Sequence, residues 1–317
     1  MARTTQPELA VSTSSSGRSA VRRSTAANLL VSIRPGEWIK NTFVFAGLVF
    51  SLKLTERSAV IASTTAFAIF CALAGAVYLL NDVSDRERDR QHPRKRDRPI
   101  ASGALSVTTA LVTAAILAVG GLSAAWMMGT AFGAVATTYV ALLGLYSGPL
   151  KHIVIIDVLT IAIGFVLRVS AGAVAVGVPM SHWLLVCTIL LAMFLGLSKR
   201  RHELTLLADG ATGHRRILQE YSPYLLDQMI GVVTASTLMA YVFYATSSET
   251  AEKFGTSLLG LTIPFPLYGI FRYLYLVHQR EGGGSPAELL LNDRPLLACV
   301  ALWGLAVVVI IYRPFGI

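Results

Sequence analysis

Four oxygen-bearing side chains open the case for chemistry in this sequence. Asn81, Asp85 and Asp89 stand four residues apart in the run Asn81-Asp82-Val83-Ser84-Asp85-Arg86-Glu87-Arg88-Asp89-Arg90, directly after a stretch, Ile61 to Leu80, with no charge at all. On a helix that spacing puts the three on one face, with Asp82 flanking it. Carboxylates at the mouth of an apolar helix are costly and point first to function. An amide oxygen and several carboxylates make a hard, oxygen-only set. That suits Mg2+, which typically bridges a few carboxylates to substrate phosphates. Asn81, Asp82, Asp85 and Asp89 are therefore the expected metal ligands. The plain alternative is a charged helix end with local Asp–Arg pairs.

A second acid, Asp157, stands alone in the apolar stretch Ile153 to Leu167, and Arg168 follows eleven residues later. Eleven residues are three helical turns, so both share a face, yet ~16 Å of rise keeps them from pairing directly. Each needs its own partner or a polar ligand lying along the groove, with Gly164 leaving room between them. A structural tie from Asp157 to a neighbouring helix is the competing reading. Cations gather nearby in sequence terms. Lys40 and Asn41 follow Arg34-Pro35-Gly36-Glu37-Trp38 at the entrance of the first apolar span, and Lys151 follows Tyr146-Ser147-Gly148-Pro149-Leu150. Lys199-Arg200-Arg201 closes another span, where cations also answer the helix dipole. Lys95, Arg96 and Arg98 precede Pro99 and Gly103, either as phosphate ligands or as plain loop charge. Acids, magnesium and many cations together describe binding of a diphosphate leaving group. No Walker-type loop, HExxH or GxSxG motif is present.

The elements that must position these residues are transmembrane helices. The chain has 317 residues, 54% hydrophobic and 14% charged, with a mean hydropathy of +0.61. That composition belongs to all-α, polytopic membrane proteins. Hydropathy predicts nine spans, near 42–54, 61–80, 105–124, 127–145, 154–176, 182–198, 224–246, 256–277 and 295–312. Residues 1–28 are Ser/Thr-rich and read as a disordered cytoplasmic tail, leaving 29–317 as one membrane domain. Basic residues crowd the loops after the second, fourth, sixth and eighth spans, including Arg94, Arg215, Arg216 and Arg280. The other loops hold little beyond Lys53, Arg57 and Lys253. The positive-inside rule then sets the N-terminus in the cytoplasm, the C-terminus outside, and every chemically loaded motif on the cytoplasmic face of the cell inner (plasma) membrane. That asymmetry also accounts for the net charge of +9 without nucleic acid. Cys71, Cys187 and Cys299 sit in apolar runs without metal spacing and read as small core residues.

The run Asn81-Asp82-x-x-Asp85-x-x-x-Asp89, the segment Arg98-Pro99-x-x-x-Gly103 and nine helices with loaded cytoplasmic loops resemble the UbiA superfamily of intramembrane prenyltransferases. The resemblance implies a first acidic motif that binds Mg2+ and a diphosphate, and a second on a later helix pair. Here the second motif keeps Asp157, but four residues on stands Ile161. Arg34-Pro35-x-x-Trp38-x-Lys40-Asn41, Tyr146-Ser147-x-x-Leu150-Lys151, Asp157 through Arg168, and Ser285-Pro286-x-x-Leu289 through Asp293-Arg294-Pro295 are similar to a narrower branch, the decaprenyl-phosphate phosphoribosyltransferases. For that branch the donor is phosphoribosyl pyrophosphate (PRPP), the acceptor is a polyprenyl phosphate, and the product leads to the arabinose donor of cell-wall arabinan. The resemblance implies Asp85, Asp89, Asp157 and Lys40 as catalytic residues. It implies Lys40, Asn41, Tyr146, Lys151, Asp157, Arg168, Lys199, Arg200 and Arg201 as substrate-binding ones. Membrane lipid is then a partner, nucleic acid is not, and a homo-oligomer is compatible with such a bundle. The rival readings are a UbiA-type enzyme moving a prenyl group from prenyl diphosphate to an aromatic acceptor, and a transporter or flippase without covalent chemistry.

Overall fold

The computed structural model describes residues 24–92, 95–208, 216–279 and 286–312; among these there are helices and turns and no strand. Arg94, Arg215, Arg280 and Ser285 lie outside the described residues, as does most of the expected tail. The rest of that tail is ordered, contrary to expectation. Ser24 caps helix α1 (Thr25–Ser32), its hydroxyl accepting from the Ala27 N–H at 3.2 Å. Asn28 then donates to the Ala104 carbonyl at 3.1 Å. A capped first turn and one long-range bond satisfy groups that polar composition alone would leave to water.

Among the described residues, seven helices are long and apolar enough to cross a membrane: α3 (Arg57–Ser84), α5 (Val107–Met128), α6 (Thr130–Ser147), α7 (Ile156–Ala175), α8 (His182–Ala208), α9 (Pro223–Thr246) and α13 (Arg294–Tyr312). One further pair passes the same test only when taken together, and it is bent: α10 (Ser248–Phe254) meets the segment Leu258–Gln279, which ends in α11 (Pro264–Gln279), at 103°. Short helices α4 (Arg86–Gln91) and α12 (Pro286–Asn292) complete the set, apart from α2 below. Asp293, expected at a helix start, caps α13 by accepting from the Leu296 N–H at 2.9 Å, and it also holds Arg272 at 2.8 Å.

The expected first span, near 42–54, is not one continuous α-helix. Arg34 turns the chain with a φ of 55°, a 3-10 segment runs from Pro35 to Phe45, and α2 covers only Ala46–Phe50. Close packing explains the departure. A Cβ on Gly172 would lie 1.8 Å from the Val44 carbonyl oxygen, and one on Gly47 would lie 2.7 Å from the Ala173 nitrogen. The segment rests backbone to backbone on α7, as small residues permit in lipid.

Two apolar cores flank this contact. One joins the 3-10 segment to α3, α5, α6 and α7 through Val44, Phe70, Leu73, Phe132 and Tyr139. The other joins α8, α9, α11 and α13 through Phe194, Leu226, Ile230 and Leu296. Outward, large apolar side chains such as Met127, Val232 and Leu261 stand exposed, a surface that belongs in hydrocarbon rather than water. The bundle has two chemically different ends. At one, Asp82, Lys151 and Arg200 each take part in ion pairs. At the other, the Tyr312 hydroxyl donates to the Val49 carbonyl at 2.9 Å and accepts from the Leu54 N–H at 3.1 Å. Cys71 and Cys299 are buried and Cys187 half-buried, all three as free thiols.

Candidate functional site

The acidic run straddles the joint between α3 and α4. Asp85 lies between the helices, yet the backbone ladder continues, with the Asp85 N–H on the Asn81 carbonyl and the Asp89 N–H on the Asp85 carbonyl, both at 2.8 Å. The helical face inferred from spacing is therefore kept across the joint. Its carboxylates have definite partners. Asp82 accepts from Arg34 at 2.5 Å and from Arg98 at 3.2 Å. Arg98 uses the same Nη1 to reach Asp89 at 2.7 Å. Asp82 and Asp89, seven residues apart, thus converge on one guanidinium. The more exposed Asp85 pairs with Arg88 at 2.6 Å and has the Lys151 ammonium 4.0 Å away. That last contact joins the α3–α4 corner to the turn between α6 and α7.

The donor chemistry fits a magnesium ion. It is oxygen-only, gathered at one helix end and open at Asp85. Between Asp82 and Asp89 the chain has already placed a cationic nitrogen, so this is a position where positive charge is favoured. Among the described residues no three acidic, histidine or cysteine groups converge as a closed metal cage. The local Asp–Arg pairs of the plain alternative exist as well, in Arg88 with Asp85 and Arg90 with Glu87.

Asp157 lies in the first turn of α7 and is fully buried. Its oxygens are both engaged. Oδ2 accepts from Arg200 at 2.7 Å, and Oδ1 accepts from the Tyr221 hydroxyl at 2.8 Å. Arg200, itself 1% exposed, also donates to Glu203 at 2.6 Å and to the Tyr146 hydroxyl at 3.2 Å. This is the structural tie weighed in the sequence, reached through a residue expected to meet substrate. Tyr221 accepts a further bond from the Ile155 N–H at 2.6 Å. Ile155 has a φ of 68°, a conformation that a β-branched residue adopts only when its surroundings enforce it. Burial raises the Tyr221 hydroxyl to about 12, the Asp157 carboxylate adding to the effect while the Ile155 N–H opposes it.

Deeper along α7, Arg168 is buried and held on three sides. Nε donates to Asn41 at 2.8 Å, Nη1 to the Gly164 carbonyl at 2.9 Å and Nη2 to the Tyr139 hydroxyl at 2.6 Å. Asn41 passes the chain of bonds on to the Cys71 sulfur at 3.2 Å. Arg168 and Asp157 do have separate partners, as their spacing requires. Lys40 pairs with Glu37. Arg201 turns to Asp227 at 2.9 Å and Thr205 at 2.9 Å on the α9 side.

The structure thus brings together Asp82, Asp89, Arg98 and Arg34, then Asp85 with Lys151, then Asp157 with Arg200 and Tyr146, then Asn41 with Arg168. Sequence reasoning passed over Glu37, Tyr139, Glu203 and Tyr221 as site members. Glu37 and Glu203 each lie three residues from the cation they pair with, a spacing the sequence displays. Tyr139 and Tyr221 reach their partners from distant segments, and nothing local marks them.

Comparison with known proteins gives the family. Residues 42–292 match the UbiA prenyltransferase family. The chain is 32% identical to a decaprenyl-phosphate phosphoribosyltransferase of Corynebacterium glutamicum, over 90% of this chain and 87% of that protein. It is also 32% identical to the Mycobacterium tuberculosis protein of the same name, over 87% and 92% respectively. Among solved structures, a UbiA homologue from Archaeoglobus fulgidus bound to GPP and Mg2+ superposes with a TM-score of 0.68 at 18% identity, over 89% of this chain and 99% of that one. With a family match across most of its length and the same fold, this chain is a multi-pass membrane transferase and a member of the UbiA prenyltransferase family.

Proposed function

We propose that the protein transfers 5-phosphoribose from PRPP to a polyprenyl phosphate, decaprenyl phosphate in the relatives' name, and releases pyrophosphate. The product would enter the supply of lipid-linked arabinose for cell-wall arabinan. The observation that carries this reading is the inequality of the two acidic motifs. The first keeps a half-exposed Asp85 beside Lys151. The second has its single carboxylate closed off by Arg200 and Tyr221, with Ile161 where a second acid would stand. One acidic cluster suffices for one diphosphate. Lys40, Lys151, Lys199 and Arg168 then exceed what a single prenyl diphosphate requires, and PRPP brings a further phosphate.

Asn81, Asp82, Asp85 and Asp89 would hold magnesium, whose charge, when bound, makes the diphosphate a better leaving group. Lys151 and Lys199 neutralise charge gathering on the departing pyrophosphate. Asp157 fixes Arg200, and through Tyr221 it fixes the turn that carries Lys151. An oxygen of the lipid phosphate forms the new bond to the anomeric carbon, opposite the breaking bond, whose electron pair leaves with pyrophosphate. That nucleophile is already an anion near neutral pH, so no strong general base is needed.

We further place the N-terminus and the site in the cytoplasm, with nine crossings. The 3-10 segment and α2 together rise about 30 Å at their respective pitches, the depth of the hydrocarbon layer. The broken α10–α11 pair supplies the other.

Purified protein given PRPP, Mg2+ and polyprenyl phosphate should yield lipid-linked phosphoribose and pyrophosphate, and Asp85→Ala should lose nearly all turnover. A second reading draws on the fold neighbour that holds GPP and Mg2+. Product from prenyl diphosphate and an aromatic acid, with none from PRPP, would establish it instead.

A further inference from the structure

A guanidinium buried inside a helix bundle needs compensation. Arg168 is 6% exposed, and among the described residues no carboxylate lies within 4 Å of it, although every other arginine of the site has one. Its known partners are an amide oxygen, a carbonyl and a phenol, all neutral. They spend three of its five N–H donors, leaving one on each terminal nitrogen. The rings of Tyr139 and Phe165, 4.8 and 5.1 Å from the guanidinium carbon, stabilise the cation but carry no net negative charge, and Glu37 on the segment that crosses α7 is already occupied by Lys40. A desolvated cation without a counterion is among the costliest groups a fold can keep. At membrane depth such a residue calls for an anionic ligand.

Position indicates which anion. The bond to the Gly164 carbonyl draws the guanidinium back one turn along α7, toward Asp157. Gly164 lies seven residues beyond Asp157, about 10 Å at the helical rise. The diphosphate is assigned to the acidic end of the bundle, so the other phosphoryl end of PRPP is the anion left for a cation set deeper along α7.

We propose that Arg168, fixed by Asn41 and Tyr139, forms a phosphomonoester site deeper along α7 and receives the ring 5-phosphate of the donor while the diphosphate stays at the acidic end. This rests on the phosphoribosyl reading above. It adds the direction in which the donor lies: diphosphate outward, 5-phosphate inward. It also makes Arg168 the residue that distinguishes a phosphorylated sugar donor from a prenyl diphosphate.

The test is ligand-by-ligand calorimetry on the full-length protein in detergent with Mg2+. The probes are ribose 5-phosphate, pyrophosphate, PRPP and farnesyl phosphate, a short lipid monoester. Arg168→Met should weaken ribose 5-phosphate and PRPP by about tenfold or more, the scale of a lost charge-assisted bond, and leave pyrophosphate within about twofold. Arg168→Lys should fall between Met and wild type. Parallel loss for pyrophosphate, loss confined to farnesyl phosphate, or no loss at all would each overturn the assignment. If Arg168→Met does not fold, Tyr139→Phe decides by the same comparison: weakening confined to ribose 5-phosphate and PRPP supports the site, and any other pattern removes it. A wild-type protein that binds prenyl diphosphate but neither PRPP nor ribose 5-phosphate rejects the phosphoribosyl reading itself. Unaltered PRPP binding in Arg168→Met rejects only the role of Arg168.

Discussion

Arg98 stands between two carboxylates that would otherwise repel each other. Asp82 and Asp89 are nearly buried, with side chains 5% and 6% exposed, while Arg98 is 30% exposed. The cation is thus the part of the triad closest to solvent and the easiest to exchange. Arg98→Gln leaves Asp89 without its cation and Asp82 with Arg34 alone. The cost should be about 1–3 kcal/mol, read as a lower melting temperature in detergent without metal. Mg2+ offers a replacement charge at the same oxygens. Adding Mg2+ should therefore raise the melting temperature of Arg98→Gln more than that of wild type. Equal metal shifts in the two proteins would mean that the guanidinium and the ion do not share a place. The acids here were legible because their spacing is helical and their charge stands out against an apolar run. Their partner assignment was not. Arg98 is one of several cations in its loop, and only the fold selects it.

Between elements, the decisive contact is the crossing of the 3-10 segment over α7. It sets Asn41 against Arg168. The sequence marks Asn41 and Arg168 as polar residues in apolar surroundings, but it does not show that Gly172 is the point of closest approach. Many glycines in this chain have open space around them, Gly120 among them. The local pattern of residues 42–54 also favours an ordinary helix. The 3-10 form wins because the segment follows the α7 backbone more closely than an α-helix with side chains would allow. Gly172→Ala places a carbon 1.8 Å from the Val44 oxygen, which backbone on both sides cannot relieve. The segment must lift, and the Asn41–Arg168 bond must lengthen or break. Activity should fall at least about tenfold and the melting temperature by several degrees, an overpacking cost of ~1–3 kcal/mol. Gly120→Ala is the matched control and should leave both unchanged. A Gly172→Ala protein with normal turnover would show that the crossing does not hold the site.

For the whole molecule, charge and packing point to the same polarity. Basic residues gather with acids at one end of the bundle, where Arg34, Lys151 and Arg200 pair with Asp82, Asp85 and Asp157. The other end is closed by neutral contacts and by Lys53, which caps the Val176 carbonyl at 3.1 Å. Hydropathy made this architecture legible because each long helix is apolar nearly throughout. It was less able to resolve residues 42–54 and 256–277, where short elements and a 103° bend carry the chain. Since lipid does not fix which end faces the cytoplasm, orientation rests on the basic bias. Accessibility tests it directly. In a variant with Cys71, Cys187 and Cys299 replaced, Ser102→Cys sits at the site end beyond α4, and Glu252→Cys sits on α10, near the end closed by Tyr312; both positions are exposed. A membrane-impermeant maleimide applied to intact cells should label Glu252→Cys and leave Ser102→Cys untouched until the membrane is opened. The reverse pattern inverts the orientation and puts the acidic cluster outside, away from any cytosolic sugar diphosphate. Labelling of both from one side would remove the barrier between the ends, and with it the separation between a water-soluble donor and the lipid acceptor.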